Sequence, residues 1–273
     1  MIIKVLIENT LKSPLYNAEH GLSLLIKTSE HNILFDTGAS SKFIDNAAVM
    51  EEDLKDIDIV VISHGHYDHG GGLEEFLKIN KNAKVYINKF AFGDFYGLKD
   101  SGEMRYIGLD KKLKDNYRIV FVDKYIKIDK EIELFSDVEI IQPIPAGNKR
   151  LFAKKEKGID NDDFCHEQNM ILSSDGKSIL FAGCAHRGIT NIIASYKKIK
   201  KGAPDMVFGG FHLDSSIIEK NSILDIAKEL DINQTIYFTG HCTDEKAYKT
   251  LKNVLGEKLH RLYTGLIKEL ERI

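Results

Sequence analysis

The chain has 273 residues, enough for one large domain or two small ones and for a core that needs no covalent staple. Its 38 basic and 41 acidic side chains leave a net charge of −3, which argues against a surface built to coat nucleic acid or anionic lipid. Hydrophobic residues at 43% and charged ones at 29% exclude a disordered chain, and three cysteines cannot build a disulfide framework, so the thiols are ligands, nucleophiles or core fillers in a reducing compartment.

Ile2 to Ile7 is β-branched and apolar and reads as a strand; with Lys4 inside it, Glu8 after it and no small-residue cleavage site, it is not a signal peptide. No uncharged apolar run approaches the roughly 20 residues of a bilayer span, so the expected location is the cytoplasm. Leu22 to Thr28 and Asn32 to Asp36, parted by Ser29, Glu30 and His31, predict a β-hairpin. Helical spacing spans Ser40 to Met50. Ile57 to Ile62 is a short apolar strand of the kind buried on both faces, and Gly70-Gly71-Gly72 leads into a helix, Leu73 to Ile79, and a strand, Lys84 to Ile87. Residues 90–130 and 143–163 show no steady period and read as insertions or long loops. A hairpin of Asn169 to Ser173 and Ser178 to Ala182 turns at Asp175-Gly176. Helix Ile189 to Lys200, strand Met206 to Phe208, helix Ser216 to Leu230, strand Thr235 to Phe238, helix Asp244 to Leu255 and a strand near Leu259 to Tyr263 follow. Both halves open on antiparallel strands and close on strand and helix alternation, which predicts two packed sheets with helices outside: a four-layer αββα sandwich in one domain, 1–273.

The strongest chemical signal is His64-Gly65-His66-Tyr67-Asp68-His69, directly after the buried strand. Three imidazoles and a carboxylate within six residues converge on a small volume and suit a divalent ion. In the second half, Cys184-Ala185-His186, His212 and His241-Cys242 each lie just past the carboxyl end of a strand, where open α/β sheets place their sites. His166 stands at the start of its strand. For His212, after Gly209-Gly210, contact with substrate and a place in the core are equally open. Cys165 reads as a plain packing or loop thiol, Cys242 leans structural, and His20, His31 and His260 carry no supporting pattern and read as surface residues.

His-x-His-x-Asp-His at the end of a buried strand resembles the signature of the metallo-β-lactamase fold superfamily. The resemblance implies an αββα sandwich with one or two metal ions at one edge and, in most members, hydrolysis of an ester, amide, thioester or phosphoester. Carried over, His64 and His66 serve the first ion and Asp68 and His69 the second, while Asp36, in Asp36-Thr37-Gly38, orients a ligand imidazole from behind. The family order then expects a third His, a bridging Asp and a final His. His241 fits the last position and is assigned to the second ion. Where Gly-Asp is common this chain has Gly183-Cys184, so the order of preference for the remaining ligands is His186, then Cys184, then His166. The segments His166-Glu167-Gln168, Gly183 to Gly188, Gly209 to Leu213 and His241-Cys242-Thr243 resemble, more narrowly, metal-dependent hydrolases related to 7,8-dihydropterin-6-methyl-4-(β-D-ribofuranosyl)aminobenzene 5′-phosphate synthase. They depart from that subgroup at Asp244, where Gly is usual, and at Ala185, where Ser is commoner.

The expectation is therefore a hydrolase of a small, anionic, phosphate-bearing molecule acting through a metal-bound hydroxide, with Asp68 and His186 in catalytic positions and His166 and His212 supporting the site or touching substrate. One or two divalent ions are expected, zinc first, with iron, manganese or magnesium as alternatives. The amides of Gly70, Gly71 and Gly72 and a base from Lys149 to Lys157 are expected to receive the phosphate. Two other readings compete: a pterin-type transferase that releases pyrophosphate, and an iron-dependent redox or non-catalytic metal-binding protein. The partner in each case is a small molecule rather than nucleic acid or membrane; the oligomeric state is left open.

Overall fold

Side chains alternate faces along a strand, so a strand apolar at every position belongs between two cores. In the computed structural model, which describes residues 1–270, this rule organises the whole chain. The first half runs β1 (Ile2–Ile7), β2 (Ser23–Lys27), β3 (Asn32–Phe35), α1 (Lys42–Val49), β4 (Ile59–Ile62), α2 (Tyr67–Gly70), α3 (Leu73–Ile79) and β5 (Lys84–Asn88). The middle supplies β6 (Phe95–Leu98), β7 (Met104–Tyr106), β8 (Ile119–Val122), β9 (Tyr125–Lys127), β10 (Ile132–Phe135), β11 (Leu151–Lys155) and β12 (Gly158–Asn161). The second half follows with β13 (Asn169–Ser174), β14 (Lys177–Phe181), α4 (Ile189–Lys200), β15 (Met206–Phe208), α5 (Lys220–Asp231), β16 (Ile236–Thr239), α6 (Glu245–Leu255), β17 (Leu259–Arg261) and β18 (Ile267–Glu269).

Two seven-stranded sheets result, ordered β18-β1-β2-β3-β4-β5-β8 and β17-β16-β15-β14-β13-β10-β9. The first is antiparallel as far as β3 and parallel from β3 to β8; the second is antiparallel from β9 to β14 and parallel from β14 to β17. On β4, Ile59 and Val61 enter the core between the sheets, while Val60 and Ile62 pack among residues of α1 and α3. On β14, Ile179 and Phe181 face the same inner core and Leu180 faces the cluster containing α4, α5 and α6. The inner core is aromatic at its centre: Phe181, Phe208 and Phe238 stack at 5.4 and 4.4 Å, and Phe35 reaches Phe181 from the other sheet at 5.8 Å. The four-layer αββα sandwich expected from the sequence is the observed architecture. Among the described residues no helix is long and apolar enough to cross a membrane.

The middle of the chain corrects the sequence reading. Residues 90–130 and 143–163 are not loops: β8 and β9 close one edge of each main sheet, and β12-β11-β6-β7 form a third, four-stranded sheet. These strands are three to five residues long and several are largely exposed, so they carry no alternating apolar signal. The third sheet walls the His64–His69 loop, with Phe95 4.0 Å from the ring of His166 and a β-bridge from His66 to Gly108. The expected helix at Ser216 begins later, at Lys220. Asp244, one of the departures from the subgroup pattern, caps α6 by accepting from the Ala247 amide and also binds Ser215.

Candidate metal centre

All the second-half candidates hang from strand ends. Cys184 and His186 follow β14, His212 follows β15 and His241 follows β16, opposite the His64–His69 loop after β4. Gln168 fastens the two sheets at this edge, donating its side-chain amide to the carbonyls of Ile62 at 2.8 Å and Tyr86 at 3.1 Å, with its backbone amide on Ser63. Asp36, Ala185, His212 and His241 all take left-handed backbone angles, with φ between 50° and 60°. Such strain outside glycine concentrates where a fold must aim a side chain.

Neighbouring groups set the tautomer of nearly every imidazole. Asn148 donates its amide to the His186 carbonyl at 2.7 Å, which turns its Oδ1 to accept from His186 Nδ1 at 3.0 Å. Asn9 does the same for His241, donating to its carbonyl and accepting from its Nδ1 at 2.9 Å. Asp36 accepts from His69 Nδ1 and from the Ser63 hydroxyl, both at 2.7 Å, and Ser63 Oγ then accepts from His64 Nδ1 at 2.9 Å. With each Nδ1 protonated, the Nε2 lone pairs of His64, His69, His186 and His241 point inward.

These lone pairs divide into two groups. His64, His66 and His186 are buried, their Nε2 atoms have no hydrogen-bond partner, and one nitrogen from each falls within 4.8 Å of the others. Burial, with neighbouring histidines, pushes His64 and His186 well below the ordinary imidazole value and His66 down to about 3, so all three are neutral. Leaving a buried acceptor unmade costs about 1–3 kcal/mol, a standing penalty that one shared cation removes. In the second group, His69 Nε2 lies 3.1 Å from His241 Nε2, and Asp68 Oδ2 lies 3.3 Å from the latter and 3.6 Å from the former. Burial raises the Asp68 carboxyl, but His69, His20 and His241 outweigh it and hold the group well below its usual range. Three acceptors at these distances repel one another unless a proton or a metal ion lies among them. The Cys184 sulfur sits between the groups, 3.2 Å from His69 Nε2 and within 4.8 Å of a His64 nitrogen, its thiol pushed up by burial. The donor set fits one or two divalent ions.

The other predicted residues have different places. His166 accepts from the Gly65 amide with Nδ1 and donates to Asp162 with Nε2, both at 2.9 Å, so no lone pair is left and it braces the loop. His212 lies on the rim, 4.2 Å from the His186 ring, with its Nδ1 buried and unpartnered and its amide on Cys242 Sγ at 3.2 Å. Gly70, Gly71 and Gly72 do not form the expected phosphate cradle. Their amides are bound to the carbonyls of His66, Tyr67 and Gly38, and a Cβ on Gly71 or Gly72 would come within about 2.5 Å of backbone oxygens. The triplet instead lets the segment after His69 press against Thr37 to Ser40, behind Asp36. Of the basic run, Lys155 pairs with Asp163 on the third sheet, and Arg150 faces the cleft.

Several contributors went unread. His20, expected as a plain surface residue, is exposed but accepts from Asn9 with Nδ1 and turns Nε2 to Asp68 at 3.3 Å. Glu8 receives the His241 amide, and the buried Glu167 receives the amides of His186 and Arg187. A cleft of about 330 Å³ opens over the centre, lined by His20, Gly147, Arg150, His212, His241 and Cys242 among others.

The chain is similar in sequence and fold to known proteins. The family model for the Metallo-beta-lactamase superfamily matches residues 16–152. The chain is 34% identical over 269 residues to "Uncharacterized protein MJ0448" of Methanocaldococcus jannaschii, covering 93% of this chain and 94% of that one. From the same organism, 7,8-dihydropterin-6-methyl-4-(beta-D-ribofuranosyl)-aminobenzene-5'-phosphate synthase is 28% identical over 275 residues, covering 93% and 91%. The crystal structure of Tm1679, described as a metal-dependent hydrolase of the beta-lactamase superfamily, superposes with a TM-score of 0.85 at 30% identity over 99% of both chains.

Proposed function

The chain belongs to the metallo-beta-lactamase superfamily, and from that premise we propose that it is a cytoplasmic, metal-dependent hydrolase of a small, anionic, phosphate-bearing substrate. The observation that carries the reading is the set of inward acceptors: Asp68 Oδ2, His69 Nε2 and His241 Nε2 at 3.1–3.6 Å beside the unpartnered Nε2 atoms of His64, His66 and His186. His64, His66 and His186 would hold one ion, and Asp68, His69 and His241 a second, with Cys184 between them where a bridging carboxylate is usual. A divalent ion bound there supplies Lewis acidity and lowers the pKa of a water it holds from about 15.7 to about 7. Zinc suits this mixture of imidazole, carboxylate and thiol best.

The remaining steps fall to the chain's own groups. Asp68, with His20 at its outer side, would hold and orient the proton of the attacking water. Arg150, whose guanidinium now rests on the Leu98 carbonyl and Asp100, is the cation on the cleft wall that an anionic group would engage. The three cysteines are free, in keeping with a reducing compartment.

A second reading, a transferase that releases pyrophosphate, is favoured by 28% identity to the synthase across 93% of this chain. The two separate in one experiment. The zinc- or manganese-loaded protein is offered a panel of phosphate mono- and diesters, and separately the pterin and aminobenzene substrates with a pyrophosphate readout. Ester hydrolysis without pyrophosphate release supports the hydrolase; pyrophosphate release alone supports the transferase. In either case Asp68→Ala should abolish turnover with circular dichroism unchanged, and full activity in that variant would refute the site.

A further inference from the structure

A second cavity, of about 510 Å³, lies behind the metal cleft between α4, α5 and the segment Gln142–Ala146. Ile144, Ile189, Phe211, Leu213, Ile218 and Ile226 give it an apolar body. Its polar wall is of one sign: Glu219, Asp225 and Glu229 line it, and no Lys, Arg or His does so among the described residues. Asp225 is engaged by Lys228 at 3.0 Å, whereas Glu219 and Glu229 make no ion pair among the described residues.

The cavity shares its inner wall with the cleft. Phe211 and Leu213 face the cavity, while the alternate residues His212 and Asp214 face the cleft; Ala146 lies on one side and Gly147 on the other, and Ile217 borders both. The same wall aims the centre. Asn148, next to Gly147, receives His186 Nδ1, and the His212 ring touches that of His186 at 4.2 Å.

We propose that this cavity is a second ligand site, taking a small organic cation with an apolar body, and that the shared wall transmits its occupancy to His186. Concave apolar space of a few hundred Å³ with few polar groups is the form ligand sites take. Glu219, Asp225 and Glu229 are solvent-exposed at the rim of the cavity, where their summed charge attracts a cation and repels an anion of the same shape, more weakly as salt rises. Asn148 belongs to the same helical turn, Ala146–Arg150, as the wall residues Ala146 and Gly147, so a shift of that turn would carry Asn148 and the imidazole it orients.

The test uses the full chain and benzyltrimethylammonium, which has no lone pair for a metal ion, with phenylacetate and benzyl alcohol as anionic and neutral analogues. Calorimetry should show saturable binding of the cation and at least about tenfold weaker binding of both analogues. Glu219→Gln/Glu229→Gln should lose about tenfold in affinity for the cation with circular dichroism unchanged. Equal binding of all three probes, no binding of the cation, or undiminished affinity in the double variant would overturn the site. Histidine side-chain NMR reads the coupling: the cation should shift the His186 and His212 signals and leave those of His31 and His260. Unmoved His186 and His212 signals at saturation would overturn the transmission.

Discussion

The two halves of the candidate centre differ in what they offer a cation. His64, His66 and His186 form a neutral pocket of lone pairs without hydrogen-bond partners, whereas Asp68, His69 and His241 carry a charge and already face one another and His20. The first pocket selects by ligand type, since three imidazoles favour zinc and its neighbours over magnesium or calcium; the second holds any divalent ion partly by charge. Cys184 touches His69 of the second, lies within 4.8 Å of His64 of the first, and is the element through which their occupancies would be linked.

This contrast can be broken at several points. The largest effect is expected from His186→Ala: affinity at the three-histidine position should fall by more than the roughly 100-fold that outer-sphere changes cost, while the Asp68 position keeps its ion. Titration against a competing chelator reads both positions, and equal loss at each would erase the distinction. Asn148→Ala removes only the partner that orients His186 and should cost about 10- to 100-fold at the same position, with Asn148→Asp restoring most of it. Cys184→Ala should weaken both positions by about tenfold, and in the cobalt-loaded protein the sulfur charge-transfer band should vanish. Were that band present in Cys184→Ala, the sulfur would not be a ligand.

The smallest effect lies away from the centre and serves as its control. His31, in the turn between β2 and β3, binds Asp58 of its own sheet at 2.5 Å and reaches Asp129, between β9 and β10 of the other sheet, at 2.6 Å. Burial pushes its pKa down, but the two carboxylates outweigh that and hold it above the ordinary value. A raised folded-state pKa means that the clasp stabilises fully below about pH 6.5 and fades as pH rises through the higher folded value. His31→Gln should therefore cost about 1 kcal/mol at pH 6 and less at pH 8.5, by urea midpoints, with metal affinity untouched. A loss that grows with pH would contradict the sign.

Legibility in the sequence follows distance along the chain. Four donors of the His64–His69 loop lie within six residues and declare themselves, and the apolar strands β4, β14 and β15 announce the sheets that carry them. His186 and His241 stand out as candidates by their places after strands. The residues that aim the imidazoles do not: Asn148 is 38 residues from His186 and Asn9 is 232 from His241, and an asparagine in a turn looks the same whether or not a histidine is waiting. His20 is equally silent in the sequence, 48 residues from the Asp68 it faces. The glycine triplet misled because the sequence offers amides without showing that neighbouring carbonyls have already taken them. The third sheet was hidden by its pairing, since β6 meets β11 some fifty residues away and neither strand is apolar enough to be read alone.

Strands buried on both faces have a consequence for the order in which this protein is made. The inner core and the two outer clusters consist of hydrocarbon and aromatic side chains, and every candidate ligand hangs from the ends of strands they enclose. Folding draws on those cores, unlike the small zinc domains whose fold is created by the ion. The expected order of assembly is therefore scaffold first and ion last: a chelator should empty the metal-loaded protein, and a different metal should refill it, with circular dichroism unchanged throughout.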